Sequence, residues 1–273
     1  MEPLQAPPLE ESPFLDPIAL KHALGPYATC FQIIQVDTLD STQNALRRHI
    51  PSLSSPTCLV ARHQLAGRGR QGKVWHSHAE HSLTFSLWWV FDCLPHELTT
   101  LNLLVSLAVA YALEQAGISG IQLKWPNDLL RQGGKVGGII AELFPMPNHH
   151  SGAIIGIGLN LYASALQMQV DRPIADLTTN HGIPQRATLL GLILAQLATL
   201  LQKNPRWHGE LEAAWLARCS HYHQPVTLQL PDQSQVLGRC IGLAPSGGVR
   251  VAHNDGRIVT YHGGDISLLQ ETA

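Results

Sequence analysis

Residues His63–Ser77 read HQLAGRGRQGKVWHS, and the fold turns on what that stretch is. Its GRGRQGK (Gly67–Lys73) matches the first seven positions of the phosphate-binding pattern G-x-x-x-x-G-K. That pattern needs a strand before it, a helix after it, and Ser or Thr beside the lysine to hold magnesium. The run TCLVARH (Thr57–His63) reads as a buried strand leading into the glycines. Val74, however, stands where the hydroxyl belongs, and VWHSHAEHSLTF has neither helical period nor cap. Without a helix N-terminus there are no aligned amides to cradle a phosphate, so the stretch is not a P-loop. Two glycines alternating with Arg68 and Arg70, followed by Lys73 and Trp75, still suit an anion. Glycine lets the backbone approach a ligand, and guanidinium offers paired planar donors. A solvated turn is the plainer reading, and the loop alone favours anion binding only modestly.

Outward from this loop, FQIIQV (Phe31–Val36) reads as a strand, and Asp40 with Gln43 three positions later suggests a capping box opening a helix. SLTFSLWWVF (Ser82–Phe91) suggests a strand covered on both faces. Glu97–Gly117 carries apolar residues at three and four, with Gly117 placed to end a helix. IQLKW reads as a strand halted by Pro126; VGGIIAELF and GAIIGIGLNL read as two more. Helices are expected over Ala187–Lys203 and Pro205–Ser220. From Pro225 onward five short β-type runs (226–230, 236–243, 249–253, 257–261 and 266–269) alternate with the turns PDQS, PSGG, NDG and HGGD, which suggests a small β-barrel. The expected organisation is an N-terminal arm (1–26), a main α/β (α+β) domain (27–222) and a C-terminal barrel (223–273).

Composition narrows the function. Net charge is −2, and charged residues are 14%, below the usual ~25%, so the whole chain is no polyanion binder. The five cysteines lack paired spacing, which argues against a disulfide framework or a Cys-based zinc site and fits a reducing compartment. MEPLQAPPLEESPFLDP lacks the basic start and apolar run of a signal peptide, and no apolar stretch reaches the ~20 residues that span a bilayer. A cytoplasmic protein without a membrane partner is expected. His76, His78 and His81 alternate without an evident acidic partner, so a histidine metal site is disfavoured.

Four patterns occur in order: DSTQN (Asp40–Asn44), QLAGRGRQGKVW (Gln64–Trp75), KWPNDLL (Lys124–Leu130), then GGKVGGIIAEL with GIGLNL. Together they resemble the biotin protein ligases over Val36–Leu161, and the β-rich tail resembles that family's C-terminal domain. The resemblance implies a mixed-sheet catalytic domain like that of class II aminoacyl-tRNA synthetases, followed by an SH3-like barrel. It implies ATP, biotin and Mg²⁺, with biotin first converted to biotinyl-5′-AMP and then transferred to a lysine of a biotin carboxyl carrier protein. It implies Lys135 and Arg70 as catalytic groups. Biotin would meet Ser41, Thr42, Gln43, Gln64, Gly67, Arg68, Gly69, Arg70, Lys135, Gly137 and Gly138. The nucleotide would meet Arg70, Lys73, Trp75, Lys124, Asn127 and Asn160, with Asn127 near the metal. The plainer alternatives are local capping for Ser41 and Thr42, a turn lysine for Lys135, and core packing for Trp75 and Trp125.

Two positions depart from the family pattern. Gln43 stands where asparagine is usual, and Lys73 replaces an arginine, keeping the charge without the bidentate fork. Only about 30 residues precede the first expected strand, against about 60 for a helix-turn-helix module, so operator binding is not expected; homodimerisation is left open. Two rivals stand beside this reading: a lipoate or octanoate transferase, and a non-catalytic ligand sensor. The glycine–arginine loop is read as a mobile clamp ordered by its anion.

Overall fold

The computed structural model describes residues 9–163, 173–201 and 205–269. Seven strands form one mixed sheet: β1 (Gln32–Leu39), β2 (Thr57–Gln64), β3 (Ser82–Phe91), β4 (Ile121–Lys124), β5 (Asp128–Arg131), β6 (Gly134–Pro145) and β7 (Ser151–Asn160). Their spatial order is β1-β2-β3-β7-β6-β5-β4. Only β1 and β2 run parallel; every other neighbour is antiparallel. The centre of the sheet is β3 against β7, paired from Ser82↔Asn160 to Phe91↔Ser151. Every residue of β7 is buried, as are nine of the ten in β3, so the strand expected to be covered on both faces is so.

One face of the sheet carries α3 (Leu101–Gln115) and α4 (Arg186–Leu201), with α1 (Pro17–Leu24) packed on α4. Helix α3 is apolar nearly all round, and eleven of its fifteen residues are buried, as suits a helix enclosed in a core. Each buried leucine there contributes roughly 1.5–3 kcal/mol relative to exposure. The helix starts later than its sequence period suggests. Pro95–Leu98 form a separate 3₁₀ turn, and the Glu97 carboxylate accepts from the Leu94 amide (2.8 Å). The last helix, α5 (Gly209–Leu216), is shorter than the expected Pro205–Ser220, and Lys203 lies outside the described residues.

The opposite face is only partly covered. Helix α2 (Thr42–His49) seals one end, where Ala45 and Leu46 meet Ile34, Val36, Leu59, Trp88 and Ile154. The expected capping box does not form. Ser41 occupies the N-cap without a capping bond, and Gln43 turns inward to donate to the Ile154 carbonyl (3.1 Å). Asp40 instead takes paired hydrogen bonds from Arg48 (2.8 and 2.9 Å), which hold its carboxyl well below the usual range.

The C-terminal SH3-like unit is a five-stranded antiparallel sheet: β8 (Pro225–Gln229), β9 (Gln235–Leu243), β10 (Val249–Ala252), β11 (Ile258–Tyr261) and β12 (Asp265–Leu268), ordered β11-β10-β9-β8-β12. It docks on the main sheet through the Trp125 indole, which donates to the Gly247 carbonyl (3.0 Å). Among the described residues no helix is long and apolar enough to cross a membrane.

The α1–α4 contact depends on Gly191, where an added Cβ would lie 2.6 Å from the Ala23 Cβ and 2.8 Å from the Leu20 carbonyl oxygen. Gly191→Val is therefore expected to cost about 1–3 kcal/mol of overpacking. Thermal unfolding should show a drop of a few degrees, whereas an unchanged Tm would mean that α1 yields without cost.

Candidate active site

The uncovered part of the second face is a cleft of about 810 Å³, counting its open mouth. Its floor comes from strand register. Asp128, Gly138, Gly158 and Thr84 lie in one row across β5, β6, β7 and β3; Ile140, Gly156 and Ser86 lie in the next. Glycine is required at the centre of the first row, because a Cβ on Gly158 would lie 2.4 Å from the Trp75 ring.

A β-bulge decides which residues face the cleft. Register slips between Leu129 and Leu130, so Leu129 pairs with Gly137 and Leu130 with Lys135. Val136 and Gly137 both turn toward the core: Val136 is fully buried, and a Cβ on Gly137 would strike Leu159 and Leu129. Lys135 and Gly138 consequently share the cleft face, with the Lys135 ammonium 3.2 Å from where a Gly138 Cβ would sit. Gly137 thus serves packing, and only Gly138 opens toward a ligand.

The inner end of the cleft is neutral. Gln64 Oε1 accepts from the Thr42 amide (2.8 Å) and hydroxyl (3.1 Å), leaving Nε2 as the other polar end of its amide. Thr42 and Ser86 hydroxyls are 2.8 Å apart, and Ser86 donates to Gln43 Oε1 (3.2 Å). Ser41 Oγ is buried with no protein partner, which suits a polar ligand group at this end.

The outer end is cationic. After β2 the chain forms a small hairpin: Trp75 N donates to Gly67 O (2.9 Å), Gly69 N to Lys73 O (2.7 Å) and Lys73 N to Arg70 O (3.0 Å). Gln71 (φ 53°) and Gly72 (φ 74°) make its tip. No helix follows this hairpin; the next regular element is β3. Arg70 reaches across to donate to Asn127 Oδ1 (2.9 Å), and Asn127 Nδ2 donates to the Ile139 carbonyl (2.8 Å). Burial pushes the Arg70 pKa down, opposed by the charges of Asp128 and Asp265. Lys135 Nζ lies 2.5 Å from Asp128 Oδ1 and 5.8 Å from the Trp75 ring centroid. Arg68 donates to Asn44 (2.9 Å) and pairs with Glu142 (3.3 Å), while Arg47 takes the other Glu142 oxygen.

Of the residues singled out from sequence, Ser41, Thr42, Gln43, Gln64, Arg68, Gly69, Arg70, Lys73, Trp75, Asn127, Lys135 and Gly138 line this cleft together. Gly67, Gly137, Lys124 and Asn160 do not. Gly67 packs against the Trp75 carbonyl, and Lys124 lines the adjoining groove with Lys73 and Asp265. Asn160 is buried behind the site, where Nδ2 donates to the carbonyls of Lys135 (3.1 Å) and Ala175 (3.2 Å). Its side-chain amide thereby binds the backbone of Lys135. Sequence reasoning missed Asp128, Ser86 and Asp265. The first lies in KWPND beside Asn127; the last lies in HGGD, far along the chain, with no signal tying it to the site.

A sheet-floored cleft with a neutral inner end and a cationic mouth suits a ligand with an uncharged polar head and an anionic tail. Consistently, residues 35–160 match the biotin/lipoate A/B protein ligase family, and 223–269 match the biotin protein ligase C terminal domain. The bifunctional ligase/repressor BirA of Escherichia coli is 29% identical over 235 residues, 84% of this chain and 72% of that one. A biotin–[acetyl-CoA-carboxylase] ligase of Mycobacterium tuberculosis is 29% identical over 216 residues, 78% and 79% of the two chains. The biotin protein ligase of Aquifex aeolicus, solved with biotin and ATP, superposes with a TM-score of 0.72 at 27% identity, covering 88% of this chain and 99% of that one. The two matched segments together span well over half of the chain, which belongs to the biotin protein ligase family and is an enzyme of the ligase class.

Asp265 pairs with Lys124 (3.2 Å) and Lys73 (3.4 Å). Burial works to raise its pKa, but the two lysines outweigh this and hold it below the ordinary 3.8. Its contribution to stability is complete above that ordinary value and vanishes as pH falls through the lower folded one. Because the pair is half-exposed, Asp265→Asn should lower Tm by only a few degrees near pH 7. The difference from wild type should close below about pH 4; a gap independent of pH would exclude the ion pair as its origin.

Proposed function

We propose that biotin occupies the Ser41–Gln64 end of the cleft and ATP the Arg70–Lys73 end. The chain then forms biotinyl-5′-AMP and transfers biotin to a lysine of a biotin carboxyl carrier protein. The observation that supports this best is the polarity gradient along a single cleft. Neutral donors and an unpartnered Ser41 hydroxyl lie at one end, Arg70, Lys73 and Lys135 at the other, and a glycine floor runs between.

In the first step a carboxylate oxygen attacks the α-phosphorus, and pyrophosphate leaves. The difficulty is charge. Two unit anions 4 Å apart repel by about 4 kcal/mol at an effective dielectric near 20. Lys135, on the cleft face beside Gly138, stands where it neutralises both groups, and Asp128 fixes its ammonium there. Arg70, pinned through Asn127 to β6, holds the phosphate charge with paired donors. In the second step the carrier lysine's free amine attacks the acyl carbonyl, the C–O bond to phosphate breaks, and AMP leaves. Trp75 over the Gly158 floor excludes water from the mixed anhydride. A magnesium ion held mostly by phosphates would take oxygen donors from Asn127 and Asp128 by exchange with their present partners, Arg70 and Lys135. That ion would spread the charge of the leaving pyrophosphate. A cytoplasmic location belongs to the same reading, since ATP is consumed; no DNA partner is assigned.

Incubation with ATP, Mg²⁺, biotin and a purified carrier domain tests the reading. Mass spectrometry should show one biotinylated carrier lysine. Lipoate-dependent pyrophosphate exchange with none from biotin would point to the lipoate rival, and biotin binding without acylation to the sensor.

Two substitutions probe the assignments. Lys135→Met should lower kcat for biotin-dependent pyrophosphate exchange by 10²-fold or more, about the effect of losing one charge-stabilising donor, with a small change in biotin KM. Arg70→Gly should loosen the adenylate, so that added bystander proteins become biotinylated. Labelling confined to the carrier, with normal adenylate retention, would remove Arg70 from that role.

A further inference from the structure

At the inner end of the cleft four side chains form a hydrogen-bonded chain whose directions are set from one backbone group. Thr42 and Gln43 come from the start of α2, Gln64 from β2 and Ser86 from β3, and none is more than 8% exposed. The Ile154 carbonyl can only accept, so the Gln43 atom 3.1 Å from it is the amide nitrogen, and Oε1 faces Ser86. Oε1 in turn can only accept, and Ser86 commits its single hydroxyl proton there (3.2 Å). With that proton spent, Thr42 is the donor in the 2.8 Å contact between the two hydroxyls. The second neighbour of Thr42 Oγ1 is Gln64 Oε1 (3.1 Å), already held as an acceptor by the Thr42 amide (2.8 Å). The Thr42 proton is therefore shared among protein oxygens, and toward a ligand Thr42 Oγ1 offers only lone pairs. Gln64 Nε2, on the other side of the same amide, can only donate. Room for the Gln43 amide exists because position 156 is glycine, where a Cβ would lie 2.7 Å from Gln43 Oε1. The asparagine usual at position 43 in the family pattern is one methylene shorter than this span.

We propose that Gln43 and Ser86 are positioning residues which, acting through Thr42, hold the inner end of the cleft as one fixed acceptor beside one fixed donor, Thr42 Oγ1 and Gln64 Nε2. That pair complements a head in which an N–H adjoins a C=O, as in a cyclic urea; a dithiolane ring supplies neither. This rests on the function proposed above, which seats biotin at this end, and it moves Gln43 from touching the ligand to directing the residues that do. Gln43 and Ser86 are 2% and 0% exposed, so a hydroxyl released from its neighbour here has few other partners. Without Ser86 Oγ, Thr42 loses its nearer acceptor; without the Gln43 amide, the Ser86 proton is free to turn toward Thr42. Either change lets the Thr42 proton swing into the cleft, where it meets the ligand N–H donor to donor. A site that fixes donors and acceptors in this way rejects a mismatched head more strongly than an apolar wall does.

The test uses the full chain as wild type, Ser86→Ala, Ser86→Thr and Gln43→Met. Biotin binding is measured by calorimetry without ATP, and KM values for biotin and ATP by pyrophosphate exchange. Ser86→Ala removes one oxygen, and Gln43→Met keeps the length of the side chain without its amide. Each should weaken biotin binding and raise biotin KM about tenfold, roughly the effect of one buried hydrogen bond lost or reversed. The KM for ATP should stay within about twofold. Ser86→Thr, which keeps the hydroxyl, should bind biotin more tightly than Ser86→Ala. A purely structural role predicts instead a lowered Tm with the biotin KM unmoved. Biotin affinity within about twofold of wild type in both Ser86→Ala and Gln43→Met would overturn the proposal, as would parallel losses for biotin and ATP. Wild type that binds no biotin would remove the proposed function and this assignment together; wild type that binds, with variants that bind equally well, would remove this assignment alone.

Discussion

The site depends on one constraint: β6 must be out of register with its own alternation before it reaches the cleft. With Val136 and Gly137 both turned inward, the bulge puts Lys135 on the same face as Gly138, over the row that runs through Gly158 to Thr84. A regular strand would leave Lys135 and Gly138 on opposite faces. The ammonium would then have no ligand beneath it, and the glycine no reason to be bare. Asp128 completes the arrangement from the neighbouring strand, and Asn160 from behind, by binding the Lys135 carbonyl. The segment around Pro173–Ala175 adds two backbone bonds to the same residue. Position and direction of this lysine are thus set by four separate pieces of chain.

Much of the fold was legible because its signals are local and repeated. The central strands are runs of β-formers bounded by turn residues, and α3 and α4 are long apolar periods. What escaped was set by tertiary contacts. Gln43 reads as the third residue of a capping box, but the buried Ser86 hydroxyl and Ile154 carbonyl draw it inward and leave Asp40 to Arg48. The short β4–β5 hairpin hides in KWPND, where Pro126 reads as a stop while the chain merely turns and pairs back from Lys124↔Asp128.

The candidate site was legible for a different reason: its ordered motifs carry most of the residues that line the cleft, although not the direction each side chain takes. Gly137 and Gly138 are adjacent in sequence and opposite in use, and nothing in GGKVGG says which is which. Asn160 is a nucleotide contact by resemblance alone, and its position in GIGLN gives no sign that its Nδ2 also ties the backbone of Lys135 and Ala175. Asp265 carries the opposite lesson. Its carboxylate meets Lys73 and Lys124 only because a separate sheet docks on the first, a long-range event with no local trace.

That docking has a bearing on how the molecule can be cut. The hitch between the Trp125 indole and the Gly247 carbonyl crosses between the two sheets, and the Gly247 turn also lies against Thr100 and Leu103 at the start of α3. A fragment ending before β8 would bare the indole N–H and an apolar helix end in a single stroke, on the side where Lys124 loses its carboxylate. The smallest portion of the chain worth expressing alone is therefore larger than the sheet that holds the cleft.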